Sequence, residues 1–300
     1  MAAEKASGHH IAVASRLSGL TPEVIRSWER RYGIVRPERD AAGLRLYSSS
    51  QIERLRLARR ATERGHAIRK IAPLSDAEIA ALLQSNDERN TAQDGLVEEI
   101  LAAIRSDDPE RVKRTLNVAA MVLGPEELVL SVLVPLMCET GKLWLEREIS
   151  IWQEHLLSQA VSSVALMTMR LQHRSNIARC FVFGTPPGEQ HALGITFAAM
   201  LTASRGFAAE NLGANVPVQE IIDAAARMQA ACVVVGITRP DFNAAEAVEY
   251  IERLDAGLPS DVEIWLGGPR SADYATSSGS PRLRRIATLE EFARLLDGRS

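Results

Sequence analysis

RCFVFGTPPGEQHALGITFAAMLTASRG, residues 179–206, runs through three patterns in succession. A short apolar run (CFVF, 180–183) has strand length, a loop of small residues and prolines follows, and a longer apolar run then reads as a helix. A strand feeding directly into a helix is half of a βαβ unit. The same rhythm continues to the C-terminus. FAAENLG (207–213), ACVVVGI (231–237) and VEIWLGG (262–268) read as strands, while VQEIIDAAARMQ (218–229), AAEAVEYIERLD (244–255) and LEEFARLLD (289–297) read as helices. Apolar strands alternating with helices predict a doubly wound, Rossmann-like parallel sheet over residues 177–298. In such sheets ligands sit beyond the carboxyl ends of the strands. One of the chain's six histidines, His191, falls in that position, two residues after Glu189 and three before Gly194.

Upstream the period changes. GLVEEILAAIRSDD (95–108), PERVKRTLNVAAMVLG (109–124), PEELVLSVLVPLMCETGKLWLERE (125–148) and SIWQEHLLSQAVSSVALMTMRLQ (150–172) are helical in pattern and predict a four-helix bundle over 92–173. Pro109 and Pro125 stand at helix starts, and Ser150 with Gln153 forms a capping-box pattern. The polar stretch NDERNTAQDG (86–95) reads as a linker. Before it, HIAVASRLSGL (10–20) reads as a short helix, Thr21 and Pro22 start a second, and IVRPERDAAGLRLY (34–47) reads as a turn with two short strands. A helix follows from Ser48, and another starts from the pair Ser75 and Glu78. Two short helices across a glycine-containing turn, then a hairpin, predict a winged helix-turn-helix over 8–83. The fold class expected is therefore multidomain, α and α/β.

The chain has the composition of a soluble globular protein, with 46% apolar and 24% charged residues among 300. No apolar run is expected to span a membrane, and MAAEKASGHH lacks the apolar core of a signal peptide. Cys138, Cys180 and Cys232 are odd in number and set in apolar sequence, which suggests buried thiols in a reducing cytoplasm. The charge is uneven. Residues 1–78 hold fifteen Lys/Arg against nine Asp/Glu, a net of +6, whereas the remainder holds twenty against twenty-nine, a net of −9. A basic first quarter on an acidic body points to a polyanion as its partner.

Arg26, Arg30 and Arg31 lie on the second short helix, and Arg36, Arg39 and Arg45 in the hairpin, positions suited to phosphate and base-edge contact. An arginine count alone would describe a solvated basic face equally well. TPEVIRSWERRYG followed by RPERDAAGLRLYSSSQIERL, however, resembles the MerR family of transcriptional regulators. The resemblance places Arg26, Trp28 and Glu29 on the recognition helix and Gly43, Arg45, Leu46 and Tyr47 on the wing. It implies that the wing's arginine and tyrosine hold the backbone of double-stranded operator DNA. Trp28 also fits a packing role, as an aromatic on a small domain usually does.

His191 has no second His or Cys at metal-ligand spacing, so a bare zinc site is not expected. A single protein ligand makes sense where a macrocycle supplies the others. GEQHALG, with Glu189, His191 and Gly194 in a Glu-x-His-x-x-Gly pattern, resembles the cobalamin-binding signature of base-off, His-on corrinoid proteins. That resemblance makes His191 the lower cobalt ligand, Glu189 its partner, and Gly194 the residue that leaves room for the displaced nucleotide tail. It further assigns Thr238 to the tail and makes Gly267 and Gly268 close-approach glycines.

In the bundle, Trp144, nine intervening residues, and then Glu154–His155 match a pattern of the CarH/LitR group of cobalamin photoreceptors, whose domain order the chain resembles throughout. The resemblance implies a pocket over the upper axial adenosyl group, formed by Trp144, Ile151, Glu154 and His155. It implies a regulator rather than an enzyme, a repressor assembled as a tetramer by adenosylcobalamin in darkness and released by light. One position departs from that pattern: Leu145 stands where light-responsive members often carry the histidine that captures cobalt after photolysis. The alternatives are a cobalamin sensor without photochemistry, a corrinoid carrier of a methyltransferase, and a regulator for another ligand.

Overall fold

A computed structural model describes residues 8–64, 66–172, 179–238, 244–269, 271 and 280–299, apart from the side chains of 85–91 and 244. The boundaries expected at 173 and 177, and residues 1–7, fall outside that description. Two compact units divide at Ala92/Gln93.

The first unit is a winged helix-turn-helix. β1 (His9–His10) and α1 (Ile11–Ser18) lead to Gly19, whose φ of 73° closes α1 through its N–H on Ser15. The expected first helix therefore gives up its histidine, His10, to a strand. Thr21 caps α2 (Pro22–Tyr32) by accepting from the Val24 N–H, and Pro22 opens the first turn. β2 (Glu38–Arg39) and β3 (Arg45–Tyr47) form the wing, with β1 on the far side of β3. The wing turn is built by Asp40, which accepts from the N–H groups of Ala42 and Leu44. α3 (Ser49–Glu63), α4 (Ile68–Ile71) and the first turns of the helix that follows complete the core around Ile25, Tyr47, Leu55 and Ile79. Arg54 pins the connections by donating to Ile34, Ala72 and Leu74 carbonyls and to Asp76.

α5 (Asp76–Arg105) is a single helix of 30 residues, so the expected linker at 86–95 is helical backbone. The physical reason is plain. Asp, Glu, Arg, Gln and Ala are all compatible with a helix, and the stretch lacks proline.

The second unit joins a helical bundle to a parallel sheet. The C-terminal half of α5 packs with α6 (Pro109–Val122), with the helical stretch α7 (Pro125–Leu128) to α8 (Val134–Leu145), and with α9 (Ile151–Leu171). Between α7 and α8, Val129–Leu133 is π-helical, with Val134 N–H bonded to the Val129 carbonyl. Pro135 follows immediately and cannot donate, which disrupts the ordinary helical ladder at this point. Contrary to the sequence expectation, Pro125–Leu145 is long and apolar enough to cross a membrane by length and composition. Part of that apolarity belongs to the bundle core, where Leu128, Val129, Val132, Leu133 and Leu136 are all 0% exposed. Cys138 on α8 is exposed rather than buried, while Cys232 is enclosed.

The sheet has the order β5-β4-β6-β7-β8, all parallel, from β4 (Cys180–Gly184), β5 (Ala208–Asn211), β6 (Ala230–Gly236), β7 (Glu263–Gly267) and β8 (Leu283–Arg285). β8 is a short polar edge strand that the apolar pattern does not signal. α10 (Leu193–Ser204) and α13 (Leu289–Asp297) share one core with the bundle, whereas α11 (Val218–Arg227) and α12 (Ala244–Gly257) cover the opposite face. Arg205, 10% exposed, pairs with Glu126 of the bundle and Asp297 of α13 and ties the layers together. Strand order reverses between β4 and β6, and the crevice at such a reversal is where doubly wound sheets bind ligands.

Candidate cobalamin and DNA sites

His191 lies in the loop from β4 to α10, at the edge of that crevice. Glu189 is 0% exposed, and its carboxylate gathers the loop. Oε1 accepts from the His191 backbone N–H at 2.8 Å and lies 2.6 Å from His191 Nδ1. Oε2 accepts from the Thr238 N–H at 2.7 Å, which bridges the loop to the end of β6. The His191 side chain is 60% exposed, so the ring is held at Nδ1 and open to solvent elsewhere. A carboxylate on one imidazole nitrogen fixes the tautomer that leaves the other as a lone-pair donor.

Two residues the sequence reading missed hold this loop in place. Thr185, 0% exposed, donates its hydroxyl to the Glu189 carbonyl at 2.6 Å and accepts from the Asn215 N–H at 3.0 Å. Asn215, at φ 62°, accepts from the Gly188 N–H at 2.8 Å. Both lie in loops that look featureless in sequence; only the proximity of Thr185 to the strand end could have flagged it.

The expected glycines divide in two. An added Cβ at Gly194 or Gly267 would meet nothing within 4 Å, so these positions leave open space beside the crevice. Gly268 has another reason. It sits at φ 97°, and a Cβ there would lie 2.3 Å from the Ile237 carbonyl oxygen, so the crowding is by the protein's own backbone. Thr238 contributes its N–H to Glu189, a role its side chain did not suggest. Among the described residues no group of three His, Cys, Asp or Glu could hold a metal ion. One well-oriented imidazole beside open space fits a macrocycle better than a bare ion.

At the α8–α9 turn an open cavity of about 360 Å³ is lined by Trp144, Leu145, Arg147, Ile149, Ser150 and Ile151. Arg147 takes φ 61° there, and its N–H and that of Glu148 cap α8 on Trp144 and Leu143. Ser150 donates its N–H and hydroxyl to Gln153, whose amide reaches back to Ile104 and Asp107 at the end of α5. Glu154 and His155 are not among the residues that line this cavity. They sit on the first turn of α9, where Glu154 is bonded to His155 Nδ1 at 2.6 Å and accepts from Ser158 at 2.5 Å.

In the first unit, Arg26, Arg30, Arg31 and Arg36 are exposed, as is Arg39, which donates to the Gly43 carbonyl across the wing turn. Trp28 is partly buried against the core. Arg45 Nε donates to both oxygens of Glu29 at 3.1 and 3.0 Å. Tyr47, expected to reach the DNA backbone, is instead 0% exposed and donates its hydroxyl to Glu29 at 3.2 Å. Burial, and after it the Glu29 carboxylate, push the Tyr47 phenol up to about 12, with Arg45 and Arg26 opposing.

Comparison with known proteins agrees with this division. Residues 10–78 match the MerR HTH family of regulatory proteins, and residues 96–165, the bundle, match a B12 binding domain. The chain is 32% identical over 278 residues to the HTH-type transcriptional repressor CarH of Myxococcus xanthus, covering 89% of this chain and 90% of that one. It is 27% identical over 241 residues to CarA of the same organism, covering 79% and 76%. The Methanosarcina barkeri monomethylamine corrinoid protein shares the fold of 68% of this chain, over 99% of its own length, with a TM-score of 0.56 at 17% identity. With a MerR-type reader and a B12 binding domain in a single chain, the protein belongs to the CarH-type family of DNA-binding transcriptional regulators.

Proposed function

We propose that the chain is a cytoplasmic repressor that binds operator DNA as an adenosylcobalamin-stabilised homo-oligomer, a tetramer by resemblance, and releases it in light. The observation that carries this reading is the buried Glu189 carboxylate bonded to an exposed His191 ring. In this reading His191 is the lower cobalt ligand, Glu189 and Thr238 hold its loop, and the open space at Gly194 and Gly267 admits the nucleotide tail. Trp144 and Ile151 give the upper group an apolar wall, with Glu154 and His155 a turn farther along α9. When bound, adenosylcobalamin supplies a cobalt–carbon bond that visible light breaks. Trp144 and Ile151, 46% and 62% exposed, would be the residues that hold and cover the cofactor on this side. A ligand that binds one assembly state draws the population toward it. Separated readers lose their shared effective concentration on one operator, so DNA affinity falls. Arg26, Arg30, Arg39 and Arg45 make the DNA contacts.

Leu145 favours a second reading. It is 74% exposed on the cavity wall and offers no ligand atom, which suits a cobalamin sensor without a stable light product. Absorption spectra with adenosylcobalamin, taken in darkness and after green light and paired with size-exclusion chromatography, separate the two. A His-on spectrum that changes on illumination, with a fall in assembly size, supports the photoreceptor. A bound spectrum indifferent to light leaves the sensor, and no binding removes the cofactor altogether.

A further inference from the structure

We infer that Glu29 is the positioning residue for DNA binding: its carboxylate clamps the wing onto the recognition helix and aims Arg45 at a phosphate. The inference rests on the DNA-binding role of the first unit. Glu29 is on α2, sixteen residues from Arg45 and eighteen from Tyr47, and binds both side chains of β3. Arg45 spends only its Nε–H on Glu29, and among the described residues its two terminal nitrogens make no hydrogen bond. The Arg45 side chain is 34% exposed and that of Glu29 20%, so the pair lies at the margin of the surface. A guanidinium gripped at Nε has lost most of its freedom and still presents two N–H groups outward, the fork that phosphate accepts. Tyr47 closes the arrangement from below. Fully enclosed, it adds a hydrogen bond to the same carboxylate and no surface of its own.

The sign of the effect separates this role from its rival. A solvated acid on a DNA-facing helix repels phosphate, so neutralising it strengthens binding. A clamp does the opposite, since its loss frees Arg45 and the wing. The test measures affinity of the full chain for a mixed-sequence duplex between about 50 and 200 mM salt, with thermal unfolding alongside. The wild-type titration comes first, and failure there would count against DNA binding itself rather than against the clamp. Glu29→Gln is expected to bind about tenfold more weakly, with helix content retained and the 15N–1H signal of Arg45 Nε losing its protection from solvent exchange. In an Arg45→Ala background, where only the Tyr47 bond is left to lose, the same substitution should cost clearly less than in the wild type. Equal or tighter binding by Glu29→Gln, or losses that simply add, would overturn the proposal. Should Glu29→Gln fail to fold, Arg45→Lys decides. Lysine keeps the charge but cannot grip Glu29 and fork onto a phosphate together, so it is expected to bind several-fold more weakly, and wild-type affinity would refute the clamp.

Discussion

Glu189 and Glu29 are the carboxylates around which the two units arrange their working surfaces, and they differ in what surrounds them. Glu189 is wholly buried and is answered by two backbone N–H groups and an imidazole. Glu29 is partly exposed and is answered by a guanidinium and a phenol. Main-chain donors fix geometry without a counter-charge, so the Glu189 site is set by the fold itself. A guanidinium partner near the surface makes the Glu29 site responsive to salt and to its polyanionic ligand.

The sharpest way to break the comparison is Glu189→Ala. Two backbone donors and the His191 ring lose their shared buried acceptor together, and the expected cost is about 3 kcal/mol, read in urea unfolding of the second unit, with cobalamin binding lost. A cost below about 1 kcal/mol would mean that Thr185 and Asn215 hold the loop unaided. His191→Ala separates ligand from scaffold. Because the ring is 60% exposed, stability should stay within about 0.5 kcal/mol, while the His-on spectrum disappears. A variant that kept that spectrum would remove His191 from the cobalt.

Gly194→Ala sharpens the same contrast through opposite signs. Its Cβ would meet no protein atom, and alanine favours a helix, so the ligand-free chain should gain a few tenths of a kcal/mol, about 0.3. Cobalamin affinity should fall about tenfold, since one methyl group in a filled slot costs roughly that much. Unchanged affinity in a spectrophotometric titration would place the nucleotide tail elsewhere.

These sites were unequally legible. Glu189 and His191 stand two residues apart after an apolar strand, so local pattern and topology sufficed to single them out as a candidate pair, and the structure bonds them to each other. Thr238 was singled out for its side chain, whereas the bond it makes to Glu189 comes from its N–H, which any residue but proline could supply. The glycine pair at 267–268 was noticed as a pair, but only three-dimensional packing distinguishes the open position from the crowded one. The helix through 86–95 was missed because polar composition marks solvent exposure, not the end of a helix. β8 was missed because a short edge strand need not be apolar. The clamp at Glu29 spans sixteen residues of chain and involves a tyrosine whose burial no local pattern reveals.

The mildest test concerns that tyrosine. Tyr47→Phe deletes one enclosed hydroxyl while leaving Arg45 on Glu29, so the variant should be about 1 kcal/mol less stable at pH 8. The gap should depend on pH in a defined direction. The folded phenol is held at about 12 against an ordinary value of 10, so the unfolded chain releases this proton first. Stability from Tyr47 is then fully present below about pH 10 and is lost as pH rises towards 12. Denaturation curves of wild type and variant, measured in parallel across that interval, should therefore converge as pH rises. The difference between the two chains isolates Tyr47 from the other tyrosines, including the buried Tyr250. A gap that stayed constant would mean that the phenol is not shielded and that the joint between wing and recognition helix is looser than its geometry.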